Sequence, residues 1–210
     1  MKIKICGMRE PANIIEIAAM DINQLGFIFH KASPRYVGED FEIPSGTIPN
    51  EVHKTGVFVD SSVRYILETS ERYHLNMIQL HGNELPEYCS LLHQNGMKVI
   101  KAFSIDAHFD FNQLKDFIPV CDFFLFDTKS TLHGGSGHCF DWQLLNSYKF
   151  QKPFFLSGGL GLDNVEDVLK FTHPMLYGYD FNSKLENYPG FKNKEFTKSV
   201  INKIRNHENT

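Results

Sequence analysis

The chain has 210 residues, 42% of them hydrophobic, and a net charge of −4 with histidine neutral. That length supports one domain with a large core, and the weakly acidic balance gives no general attraction to nucleic acid or to an anionic membrane. No run approaches the roughly 18 apolar residues of a membrane span, and a charged strand begins at once where a signal region would lie, so the expectation is a soluble cytoplasmic protein.

The opening "KIKI" alternates polar and apolar residues and reads as a strand that ends on Cys6 and Gly7. "REPANIIEIAAMD" follows as a helix: Pro11 suits a first turn, and Ile14, Ile17 and Ala18 fall on one face. "QLGFIF" is a compact apolar run of strand length. The stretch "HKASPRYVGEDFEIPSGTIPN", punctuated by proline and glycine, reads as a long loop with at most a poor helix. "TGVFVD" is the third strand. Ser61 or Ser62 caps the next helix, which is apolar at Val63, Ile66 and Leu67. "MIQLHG" is a strand, "ELPEYCSLLHQNG" a helix closed by glycine, and "KVIKAFSI" a strand. "HFDFNQLKDFI" is a short helix and "CDFFLFDT" a strand. The loop "KSTLHGGSGHCF" leads to a short helical stretch from Asp141. "PFFLSGG" is the seventh strand, "LDNVEDVLKF" a helix with Asp163 as its cap, and "MLYGYDFNS" the eighth strand. "KNKEFTKSVINKIR" closes the chain as a helix apolar at Phe196, Val200, Ile201 and Ile204.

Eight strands, each followed by a helix or loop, indicate an α/β chain folded as one closed (β/α)₈ barrel over residues 1–210, shorter than the roughly 250-residue norm. Several strands are apolar throughout, as expected of a parallel sheet covered by helices. A doubly wound, dinucleotide-binding sheet is the alternative, but the first turn, "CGMREP", lacks its G-x-G-x-x-G. In a barrel the C-terminal strand ends share one rim, where the chemistry is carried. Cys6, His81, Asp127, Gly158 and Asp180 all lie at such ends.

The four cysteines (Cys6, Cys89, Cys121, Cys139) lack zinc spacing, and the ten histidines are dispersed, so no structural metal is expected. Cys6 reads either as a small buried hydrophobe or as a base, if electropositive surroundings at the rim lower its pKa. Asp127 either caps the loop that follows or is a carboxyl raised by desolvation into a general acid. "SGGLG" and "DFNS" follow strands seven and eight, the usual place for a phosphate in this fold, and glycine lets backbone N–H groups approach an anion closely. "GGSG" is a second glycine-rich turn. Arg35, tethered by Pro34 and flanked by Tyr36, suits an anionic or aromatic substrate through its planar guanidinium. His81 is a structural histidine or a substrate contact, and Trp142 reads as packing beneath the glycine loop.

Taken together, "KICGM", "GFIFHKASPRYV", "GVFVD", "QLHGNE", "FLFDTKSTLHGGSGHCFDW", "FFLSGGLGLDNV" and "GYDFNSKLENYPGFKN" resemble the phosphoribosylanthranilate isomerases, barrel enzymes of tryptophan biosynthesis. The stretches fall in order and span nearly the whole chain. The resemblance implies an Amadori rearrangement of a small-molecule phosphosugar without metal or cofactor, by a monomer or homodimer. It implies Cys6 as general base, Asp127 as general acid, Arg35 as the loop arginine of the active site and Asp180 as the carboxylate beside the anthranilate. It also implies a phosphate grip at Gly158 to Gly159 and Asn182 to Ser183. Two departures stand out: Tyr179 is bulkier than the family's small aliphatic residue, which predicts a different pocket wall, and Ser130 to His133 replace a more apolar loop segment. Rival readings are another phosphosugar barrel, such as a ribulose-phosphate epimerase or a tryptophan-synthase-type lyase, and a barrel that binds phosphosugar without turnover.

Overall fold

The computed structural model describes residues 1–44, 46–128 and 142–209. The "GGSG" turn, Ser130 to His133, Cys139 and Asp141 lie outside the described residues. Among the described residues, eight parallel strands close into a barrel: Lys2–Ile5 (β1), Gln24–Ile28 (β2), His53–Phe58 (β3), Met77–Leu80 (β4), Lys98–Ile105 (β5), Phe123–Thr128 (β6), Phe154–Ser157 (β7) and Leu176–Phe181 (β8). Each strand pairs with its successor, and β8 returns to β1 with Lys4 opposite Asp180. The (β/α)₈ architecture is the one the alternation of elements predicts.

The helices form where local signals agree. Pro11 opens Pro11–Ala18 (α1), where its missing N–H costs nothing. Ser62, rather than Ser61, caps Val63–Tyr73 (α2) by accepting from the Tyr65 N–H. Pro86–Gln94 (α3) and Lys194–Glu208 (α5) follow, the latter capped by the Asn193 side chain on the Phe196 N–H. The short helix expected after β5 is a 3₁₀ segment, Phe111–Val120, in which Pro119 has no N–H to donate. Asp163 does not cap the helix after β7, Val165–Lys170 (α4). Asn164 holds the N-cap position without a capping side-chain bond, and Asp163 instead meets Lys184 at 2.8 Å. After β8 comes a hairpin that periodicity does not announce, Glu186–Tyr188 (β9) with Phe191–Lys192 (β10).

Burial divides the molecule into an outer and an inner core. The outer core lies between strands and helices, where Phe27, Phe58, Phe124, Phe126 and Phe154 meet Ile14, Ile66, Leu92, Val200 and Ile204. Each such side chain contributes roughly 1.5–3 kcal/mol on leaving water. The inner core changes character around the barrel. Met77, Ile100, Ala102, Leu125 and Phe155 make it apolar towards β4–β7, whereas Lys4, Gln24, Thr55, Gln79 and Asp180 are buried polar residues. A closed barrel has no solvated sheet face, so the polar half of the "KIKI" alternation cannot all face water. Lys4 is 0% exposed.

Candidate active site

The site begins with two glycines that make room. A Cβ on Gly26 would stand 2.6 Å from the Cys6 sulfur, so its absence in β2 leaves the space that the thiol fills. Gly7 has φ +76°, and a Cβ there would lie 2.6 Å from Asn182 Oδ1 and 2.8 Å from Arg35 Cδ. Glycine alone allows both this turn and this crowding. The Cys6 N–H donates to the Phe181 carbonyl at 2.8 Å, which holds the end of β1 against β8. Cys6 rests on Ile28 and Val57 and is 3% exposed.

Around the thiol stand two buried ion pairs. Lys4 Nζ donates to Asp180 Oδ1 at 2.8 Å, and Ser157 Oγ lies 3.4 Å from Asp180 Oδ2. Lys192 Nζ donates to Glu186 Oε1 at 2.7 Å and to Asn182 Oδ1 at 2.8 Å. The β9–β10 hairpin that brings Lys192 here is latched to α1 by Asn13, which exchanges two hydrogen bonds with the Lys192 backbone, at 2.9 and 2.7 Å. Glu186 also receives the Arg35 fork, with Nε at 2.9 Å and Nη2 at 2.7 Å. Arg35 therefore stands over Gly7 at the edge of the site, occupied by Glu186, and is not part of the cleft lining.

Burial pushes the Cys6 thiol above its ordinary pKa, although Lys4 and Lys192 pull the other way. The expectation of a thiol lowered by electropositive surroundings is thus corrected: the cations are present, but desolvation of the sulfur outweighs them. Burial disfavours the Lys4 ammonium too, yet Asp180 and Cys6 together hold its pKa above the ordinary value. Burial lowers that of Lys192 despite Glu186.

On the opposite wall, His81 Nε2 approaches Asp127 Oδ2 at 3.3 Å, and Gln79 Nε2 lies 2.9 Å from His81 Nδ1. With the amide donating, His81 carries its proton on Nε2 and presents it to Asp127. The loop that carries His81 is held by Glu84, which accepts from the Asp60 and Gly82 N–H groups and pairs with buried Lys101 at 3.1 Å. The Gln79 Oε1 atom is buried without a hydrogen-bond partner among the described residues.

The glycine turn after β7 takes left-handed backbone at Gly158 (φ +98°) and Gly159 (φ +64°). Asn164 fixes it, accepting from the Gly161 N–H and donating to the Gly159 carbonyl, both at 2.9 Å. The Gly159 and Leu160 N–H groups have no acceptor among the described residues. The Asn182 side-chain oxygen accepts from Lys192, and its amide Nδ2 is left as a prospective donor.

Cys6, His81, Asp127 and Asp180 thus meet Gly158, Gly159, Asn182 and Ser183 around one cleft of about 200 Å³. Tyr179 is buried in the outer core against Phe181 and does not line it, so the altered pocket wall expected from its bulk is not found. Trp142 is buried, as expected of a packing residue. A larger groove of about 610 Å³, between the loop after β2 and the end of α2, holds none of the predicted site residues. Sequence reasoning missed Lys4, Gln79, Asn164, Glu186 and Lys192. Only Lys4 carried a signal, as a charge in a strand that a closed barrel must bury.

The family model of N-(5'phosphoribosyl)anthranilate (PRA) isomerase matches residues 3–203. The chain belongs to this family. It is 43% identical over 206 residues to the N-(5'-phosphoribosyl)anthranilate isomerase of Parabacteroides distasonis, covering 97% of this chain and 93% of that protein. The phosphoribosyl anthranilate isomerase structure from Thermotoga maritima superposes with a TM-score of 0.83 at 30% identity, over 98% of this chain and 99% of that one. A further structure of the family, in complex with reduced 1-(o-carboxyphenylamino)-1-deoxyribulose 5-phosphate, gives a TM-score of 0.81 at 27% identity, over 98% and 99%. The protein is an isomerase of tryptophan biosynthesis.

Proposed function

We propose that the protein converts N-(5-phosphoribosyl)anthranilate to 1-(2-carboxyphenylamino)-1-deoxyribulose 5-phosphate, with Asp127 as general acid and Cys6 as general base. The observation that carries this reading is the placing of a carboxyl and a thiol on opposite walls of one cleft, with the Gly159 and Leu160 N–H groups, which have no acceptor among the described residues, at its end. Asp127 gives a proton to the furanose ring oxygen as the C1–O bond breaks, and the anilino nitrogen lone pair forms the iminium. Cys6, as thiolate, takes the C2 hydrogen, and the electrons of that bond neutralise the nitrogen to give an enaminol. Loss of the hydroxyl proton and protonation at C1 complete the ketone. The rearrangement moves hydrogen within one molecule, so no redox cofactor enters its balance.

The Gly158–Gly159 turn and the Asn182–Ser183 backbone grip the phosphate. Asp180 stands beside the anthranilate, His81 orients Asp127, and Arg35 orients the substrate from the rim. The likeness to the family member bound to a reduced product supports a ligand of this shape. The protein acts in the cytoplasm as a monomer or homodimer. Fluorescence decay of phosphoribosylanthranilate on addition of the protein tests the reading. Turnover is expected, whereas binding without turnover would leave a phosphosugar-binding barrel.

A further inference from the structure

Lys4 on β1 and Cys6 just past its end stand two residues apart in chain that still pairs with β8, so their side chains leave the same face, towards the barrel interior. A fully buried lysine is costly unless its ammonium is partnered. Asp180 supplies one partner at 2.8 Å. An ammonium has three donors, and the charge of Lys4 works against burial to favour the Cys6 thiolate.

The charges that face the thiol come from every element around it: Lys4 on β1, Asp180 on β8, Lys192 on β10, Glu186 on β9, and Arg35 from the loop after β2. Across the cleft stand His81 and Asp127. The near group comprises three cations against two carboxylates, which leaves one unit of positive charge unmatched. A thiolate at Cys6 closes that balance. Glu186 is shared between Lys192 and Arg35, and Lys192 is further taken up by Asn182. Lys4 is the cation that leaves the chain on the same face as the sulfur.

We infer that Lys4 is a positioning residue for catalysis, the built-in counter-ion that lets Cys6 ionise inside the barrel, its ammonium shared between the thiol and Asp180. A lysine present only to fill the barrel would leave the titration of Cys6 unchanged. The inference rests on Cys6 being the base, and its test reads the thiol itself as well as turnover.

The experiment follows alkylation of Cys6 by iodoacetamide against pH, quantified on the peptide that contains it, alongside kcat and KM for the wild type, Lys4→Met and Lys4→Arg. In Lys4→Met the alkylation profile should move to higher pH by at least one unit, about tenfold less thiolate at neutral pH. kcat should fall in parallel with KM little changed, and Lys4→Arg should restore part of both. An unmoved Cys6 profile in folded Lys4→Met overturns the inference. Should that variant not fold, Asp180→Asn decides: Lys4 then faces the thiol without a competing carboxylate, and the profile should move to lower pH. No shift, or a shift to higher pH, overturns the inference. A shifted profile with unchanged kcat upholds the Lys4–Cys6 coupling but removes Cys6 from its role as base.

Discussion

On the β1–β8–β10 side of the cleft, Cys6 is 3% exposed and stands among five charged groups on both sides of neutrality. On the β4–β6 side, the side chains of His81 and Asp127 keep 35% and 27% of their exposure and face each other. The difference fits what each group must do in the proposed reaction. A base that is anionic in a dry place needs fixed cations, because water cannot solvate it. An acid that gives its proton away each cycle profits from solvent that can return it. One wall is therefore a buried electrostatic assembly and the other a hydrogen-bonded pair at the water's edge.

The most complete break of this contrast comes from removing either of the two proposed proton-transfer groups. Cys6→Ser and Asp127→Asn should each lower kcat by at least about 10²-fold, the scale of one general acid–base contribution, while affinity for a reduced product analogue survives. kcat/KM of the wild type against pH should be bell-shaped, with limbs that belong to the coupled pair. Near-wild-type turnover by Cys6→Ser would make the buried wall mere packing.

A smaller effect should separate binding from chemistry. A Cβ at Gly159 meets no atom of the described residues within 4 Å, yet the residue holds φ +64°, a conformation that disfavours β-branched side chains. Gly159→Val should raise KM, on the order of tenfold, with kcat largely kept, because the backbone donors turn away from the phosphate. Unchanged KM in a folded variant would remove the phosphate assignment.

Arg35 sharpens the comparison further, since it bridges the buried wall to the rim. Its fork on Glu186 uses Nε and Nη2 together, a geometry that a lysine cannot copy. Arg35→Lys should recover only part of the activity lost in Arg35→Ala, as read from kcat/KM of the three proteins. Full recovery would show that charge alone suffices there.

The smallest effect concerns stability in acid. Burial works against ionisation of Glu186, but Arg35 and Lys192 overcome it and hold the carboxyl below the ordinary 4.5. A carboxyl lowered on folding stabilises the native state above its unfolded pKa and loses that contribution as pH falls through its folded value. The stability advantage of the wild type over Glu186→Gln should be full near neutrality and shrink as pH falls below 4.5. Urea unfolding across that range measures it, and a constant gap would show that Glu186 contributes shape rather than charge.

The strands and their rim were legible because continuous apolar runs bounded by glycine and polar turns state a covered parallel sheet outright. Cys6, His81, Asp127 and Asp180 were legible as strand-end residues once the barrel was inferred. Lys4 was not. In an open sheet, alternation means one wet face, and only barrel closure turns that face inward. Lys192 and Glu186 were further from reach, because a three-residue strand paired with a two-residue one has too little periodicity to register. Their importance lies in contacts to Asn13 and Arg35, which no local pattern encodes.

The pairing of β1 with β8 also sets a timetable for the protein's synthesis. Lys4 waits 176 residues for Asp180, and Asn13 waits 179 for Lys192. At about 5–20 residues per second on a ribosome, the Cys6 thiol leaves the exit tunnel roughly ten seconds or more before its electrostatic surroundings exist. Through that interval β1 has no eighth strand to close on, and its lysine remains in water. In the proposed reaction the base is complete only when about the last seventh of the chain has docked, and a truncated translation product is expected to be inert with most of its barrel already made.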